Sequence, residues 1–135
     1  MEYSSLAWGG AASNHLHLLD RVQDRTKRLF DGTEFNSKLD SLQHRRDVAG
    51  LSTMFKIQEM HVPHLQPLRL PMRRPERTTR SVEQVPAALE EPRCYTSHYQ
   101  RQFLPKYSKL WNTFISVNIN LATFSLQRFK CSGMM

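Results

Sequence analysis

Apolar residues recur at helical spacing in two stretches of this chain. From Ser13 onward, Leu16, Leu19, Val22 and Leu29 fall on one face, widened by Leu18 and Phe30. Asp20, Arg21, Asp24, Arg25, Lys27 and Arg28 take the polar side. Ser13 or Asn14 suits the N-cap, because a short polar side chain can accept from the first free backbone N–H groups. Lys27 and Arg28 fall where the helix dipole favours cations, and Gly32 is a natural stop. A second helix is expected from about Leu39 to about Met60, capped by Asp40 or Ser41. Leu42, Val48, Leu51, Phe55 and Ile57 form its apolar side, Met54 lies at its margin, and Pro63 ends it. A short polar connection joins the two helices, which suits an antiparallel helical hairpin.

The pattern then changes in kind. Six prolines, from Pro63 to Pro92, interrupt residues 62–92, which begin with Leu65, Leu68 and Leu70 and then turn basic. Proline at this spacing forbids a continuous helix or a central strand, so an extended linker is expected, flexible in its second half. After Arg93 come Tyr95, Tyr99, Phe103, Leu104, Tyr107, Leu110, Trp111 and Phe114. Residues 113–119 fit a strand or a continued helix, and residues 123–130 a short helix. The expected fold is therefore mostly α and partly disordered. It comprises a lead-in and hairpin (1–61), a Pro/Arg-rich linker (62–92) and a small aromatic and basic C-terminal unit (93–135) that ends in a short helix.

Composition sharpens this picture. The 135 residues allow one domain at most, and hydrophobic residues make up 39%, below the roughly 45–50% of an average globular chain. The net charge is +7, with a pI near 9.9. Such a chain is drawn to polyanions by counterion release, which makes RNA or DNA the expected partner class. Nothing at the N-terminus reads as a signal peptide, and no stretch approaches the ~20 apolar residues that span a bilayer. An intracellular protein of cytoplasm or nucleus, with no membrane partner, is expected.

Catalytic constellations are missing from the sequence. No serine lies in a G-x-S-x-G turn, and Gly9-Gly10 lacks the lysine and spacing of a phosphate loop. His61 and His64 are spaced H-x2-H, and Cys94 and His98 C-x3-H. The pairs would have to meet across a proline-rich loop, so they read as turn or surface residues and neither metal nor cofactor is expected.

The strongest local signal is an arginine run: Arg69, Arg73, Arg74, Arg77 and Arg80, with Arg45 and Arg46 as a second pair. The planar guanidinium fork suits phosphate oxygens. Tyr95, Tyr99 and Tyr107, interleaved with Arg93, Arg101 and Lys106, either stack on bases or form a mini-core with Trp111 and Phe103.

Several blocks together resemble a known family. They are Leu6-Ala7-Trp8-Gly9-Gly10-Ala11, His17-Leu18-Leu19-Asp20-Arg21-Val22-Gln23, and Leu39-Asp40-Ser41-Leu42 followed by His44-Arg45-Arg46-Asp47-Val48. They continue with His61-Val62-Pro63-His64-Leu65, Phe103-Leu104-Pro105, Leu110-Trp111-Asn112 and Ser125-Leu126-Gln127-Arg128-Phe129-Lys130. In this order and spacing, over about residues 6–130, they resemble the region downstream of the reverse transcriptase domain in LINE-type, non-LTR retrotransposon polyproteins. Two departures stand out: Thr113-Phe114-Ile115-Ser116 replaces the family's residues after Leu-Trp-Asn, and the chain stops where the family's last helix continues. The family's polymerase needs paired aspartates to hold two metal ions. The aspartates here are Asp20, Asp24, Asp31, Asp40 and Asp47, none adjacent to another. The resemblance therefore implies a non-catalytic tail of an RNA-directed DNA polymerase, binding RNA or DNA backbone or docking on a polymerase domain. The alternatives are a structural protein-docking segment or a decayed retroelement fragment without function.

Overall fold

A computed structural model describes residues 4–29, 40–73 and 87–117. Over these residues the protein is mostly helical, as the patterning predicts. The elements in chain order are α1 (Ser5–Trp8), α2 (Ser13–Leu29), α3 (Leu42–Gln58), a 3-10 helix (Pro63–Leu68), α4 (Ser97–Gln100) and α5 (Phe103–Val117). The expected 123–130 helix and the Gly32 stop lie outside the described residues.

The two expected helices form, with adjusted ends. α2 begins when the Ala12 carbonyl accepts from His15 and Leu16 N–H, so Ser13 and Asn14 sit inside its first turn rather than capping it. α3 is capped by Ser41, whose hydroxyl accepts from His44 N–H at 3.2 Å. Pro63 is not what stops it. The helix ends at Gln58, and His61 turns the chain with a left-handed φ of 49°, its Nδ1 2.8 Å from the Glu59 carbonyl. Pro63 instead starts the 3-10 helix, where its fixed φ and missing N–H cost nothing.

The core joins distant parts of the sequence. α3 supplies Leu51, Met54, Phe55 and Ile57, and α5 supplies Tyr107, Trp111 and Ile115. Met54 belongs to the centre of this cluster, not its margin, at 0% exposure. The buried face of α3 includes Leu42, Arg46, Gly50, Met54 and Gln58, a run that follows the i, i+4 row. Gly50 leaves the space that the Tyr107 ring of α5 occupies: a Cβ there would collide with that ring. α2 and α3, the two arms of the expected hairpin, meet through polar groups: Arg46 on Asp20, and Gln23 on the Asp40 carbonyl. α2 buries no residue, and Leu18, Val22 and Leu29 remain exposed.

The linker is also more structured at both ends than its prolines suggest. Leu65 and Leu70 pack on the core, and Leu89 is buried within it. Met72 and Leu89 form an isolated antiparallel bridge, in which Arg73 N–H donates to the Ala88 carbonyl and Glu90 N–H to the Pro71 carbonyl. On the other side of Leu89, the Asn112 amide accepts from its N–H at 2.8 Å and donates to its C=O at 3.0 Å. The side-chain amide thus plays the part of a neighbouring strand, so buried backbone that prolines exclude from a sheet is still paired. Trp111 completes the clamp, its indole N–H donating to the Ala87 carbonyl at 3.2 Å. The Leu-Trp-Asn block is the anchor for residues 87–91.

Candidate nucleic-acid interface

The predicted arginines separate into three groups. Arg69 and Arg73 are exposed at either end of the short run that holds the Met72 bridge. Their backbone is fixed: Arg69 N–H donates to the Gln66 carbonyl and Arg73 N–H to the Ala88 carbonyl. Their guanidinium groups therefore stand on a pinned base and face water. Arg93 is exposed a few residues beyond Leu89. Arg74, Arg77 and Arg80 lie outside the described residues.

Arg45 and Arg46 part company. Arg45 is half-buried. Arg46 is 2% exposed, which removes it from any phosphate-contacting set. Its Nη2 reaches Asp20 Oδ1 at 3.3 Å and Gln43 Oε1 at 3.0 Å, and its guanidinium lies 5.7 Å from the centre of the Trp8 ring. A buried cation without such partners would carry a desolvation penalty of several kcal/mol. The Arg46 position is thus a tie between α1, α2 and α3, not a ligand site. Gln43 continues the network, its amide donating to both Asp47 carboxylate oxygens at 2.8 Å, and Lys106 of α5 reaches Asp47 at 3.1 Å.

The tyrosines divide in the same way. Tyr107 is 4% exposed and belongs to the core, so base stacking by this ring is excluded. Its hydroxyl donates to the Arg46 carbonyl at 3.2 Å. Burial, reinforced by the nearby Asp47 carboxylate and opposed by Arg46, pushes this phenol up to about 12. An unfolded tyrosine ionises near 10, so the folded state holds the proton more tightly. The stability gained is complete below pH 10 and is lost as pH rises through about 12. Tyr107→Phe is expected to flatten the fall of the urea midpoint across this window. An unchanged slope would show that Tyr107 titrates normally.

Tyr95 is the opposite case, 90% exposed in the irregular run after Glu91, and Tyr99 of α4 is 39% exposed. Of the three predicted stacking rings, these two are exposed and Tyr107 is not.

The N-terminal Trp-Gly-Gly block has a packing role that the sequence alone did not assign. Trp8 lies on Arg46, and a Cβ on Gly10 would come within 2.8 Å of the Arg101 carbonyl oxygen. Glycine lets this turn seat against the corner between α4 and α5. Among the described residues, no three His, Cys, Asp or Glu side chains are grouped so as to hold a metal ion. The Cys94 thiol is 3.1 Å from the Pro92 carbonyl, to which it donates. No described helix is long and apolar enough to cross a membrane.

No protein-family model, curated protein or solved structure matches this chain.

Proposed function

We propose that this chain is a non-catalytic, nucleic-acid-backbone-binding segment, of the kind that follows the polymerase in non-LTR retrotransposon reverse transcriptases. Three features support the reading: the net charge of +7, the arginine run from Arg69, and the ordered resemblance of its sequence blocks. The observation that carries it is the placement of Arg69 and Arg73, exposed side chains on a backbone held to the core by the Met72–Leu89 bridge. Cations presented on a fixed base lose less freedom on meeting phosphate than cations on a free chain.

The test is a titration with single-stranded RNA at low and moderate salt. Replacing Arg69, Arg73, Arg74, Arg77 and Arg80 by Gln is expected to shallow the salt slope by up to about 3.5, near 0.7 for each single-strand phosphate that is no longer neutralised. Arg69→Gln with Arg73→Gln alone should account for about 1.4 of that change. Binding that is unaltered in the five-residue variant would remove this function.

One observation favours a second reading. The outer face of α2 leaves Leu18 at 54%, Val22 at 46% and Leu29 at 79% exposure. An apolar stripe of this kind suits docking on another protein, such as a polymerase domain.

A further inference from the structure

α2 has two unlike sides. Leu16, Leu19, Asp20, Gln23 and Lys27 are half-buried and form the side turned to α3, where Arg46 holds Asp20 and Gln23 donates to the Asp40 carbonyl. The other side carries Leu18, Val22, Arg25 and Leu29, all exposed. Their alternating spacing of four and three residues sets them on one line along the helix. Arg21 and Arg28, also exposed, flank that line on a single side. We infer that this face docks an amphipathic helix whose apolar seam is edged with carboxylates. The inference deepens the protein-docking reading and rests on it.

Width and charge decide the occupant. A helix that lies on an apolar surface presents an apolar arc of about 100° or more. Leu18, Val22 and Leu29 span only about 40°, the narrow seam of one helix paired with another. Arg25 lies on the seam itself, so whatever covers the leucines also covers its guanidinium. A cation desolvated without a partner costs several kcal/mol, and a carboxylate opposite Arg25 removes that cost. Among the described residues, no ion pair engages Arg21, Arg25 or Arg28. Asp20 is turned to Arg46, and Asp24 lies beyond the arginines, away from the seam. The face thus combines three cations with no carboxylate of its own. A second copy seated on it through the same face would leave those cations unmatched. A nucleic-acid backbone would satisfy the arginines and leave the leucines in water.

The spacing also orders the roles. From Leu18 to Leu29 the seam runs roughly 16 Å, enough for a short helical partner. Arg21 and Arg28 stand one heptad apart, so carboxylates at heptad spacing along the partner's edge meet both. The carboxylate that faces Arg25 sits within the seam and fixes the register, as a single polar seam position does in paired helices. α2 buries none of its residues, so this face can be altered without touching the core.

The experiment titrates the full chain with two helical peptides that share one leucine seam, edged with glutamate in one and lysine in the other, and with a scrambled glutamate peptide. The glutamate-edged helix is expected to bind on the order of tenfold more tightly than either of the others, since like charges set side by side are strongly disfavoured. Arg21→Glu with Arg28→Glu should reverse the preference. Leu18→Ser with Val22→Ser should abolish binding, with helical circular dichroism and the urea midpoint retained. Equal binding of the glutamate and lysine helices overturns the acidic partner while leaving protein docking intact. Failure of every peptide to bind overturns the protein-docking reading with it. Equal binding of the scrambled peptide, or binding unmoved by the serine pair, is general attraction to a basic chain and overturns the docked helix. Sedimentation of the chain alone and flotation with phosphatidylserine vesicles cover the remaining occupants. Self-association, or vesicle binding, that the serine pair removes would give the face to a second copy or to lipid and overturn the assignment.

Discussion

Trp111→Ala is expected to remove about 3–5 kcal/mol of stability, the usual range for deleting a large buried aromatic ring. The indole is 1% exposed, lies in the cluster with Met54, Ile57, Leu89 and Ile115, and donates to the Ala87 carbonyl. A chain of this size holds on the order of 5–15 kcal/mol in total. The loss should therefore shift urea unfolding to far lower concentration and free residues 87–91 as well. Amide exchange at Leu89 reads the second effect separately, since Asn112 is next to Trp111 and clamps both Leu89 backbone groups. A variant that keeps its urea midpoint and its slow Leu89 amide would show that Trp111 is not the keystone of the core.

Gly50→Ala should also destabilise, although alanine is the better helix former by about 1 kcal/mol. The added methyl group runs into the ring of Tyr107, a side chain locked by its own burial and by its bond to the Arg46 carbonyl. Overpacking of this kind costs about 1–3 kcal/mol, and the collision is severe enough to put the cost at the upper end. A net loss of about 1–2 kcal/mol is expected. Tyr107→Leu in the same chain gives the methyl room, so the two substitutions together should cost clearly less than their sum. Strict additivity in this cycle would mean that the two helices do not meet at Gly50.

Local pattern revealed the helices and concealed their pairing. α2 and α3 were legible because each carries apolar residues at helical spacing with a clear polar boundary. The partnership of α3 with α5 was not, because no periodicity links residues near 50 to residues near 107. The buried face of α3 also contains Arg46 and Gly50, which interrupt the apolar run and make the face look polar at just those positions. A mid-helix glycine is itself a signal, since it costs stability unless something must come close. Leu89 stayed hidden for another reason. Its neighbours are alanine, glutamate and proline, so it carries no pattern, and its burial depends on the Asn112 amide some twenty residues later.

The candidate site was legible in composition and only partly in position. The arginine run was visible as charge, and Arg69 and Arg73 are indeed exposed. Arg46 looked equivalent on paper and is buried, because Asp20, Gln43 and Trp8 enclose it from three different elements. The tyrosines left two roles open, stacking or packing, and the structure assigns packing to Tyr107 while exposing Tyr95 and Tyr99.

Salt dependence of single-stranded RNA binding by the unmodified chain is the most direct test. If Arg69 and Arg73 alone engage phosphates, the logarithm of the association constant should fall linearly with the logarithm of salt concentration, with a slope of about −1.4 or steeper. A slope near zero, or no association even at low salt, would contradict a role built on exposed arginines meeting a nucleic-acid backbone.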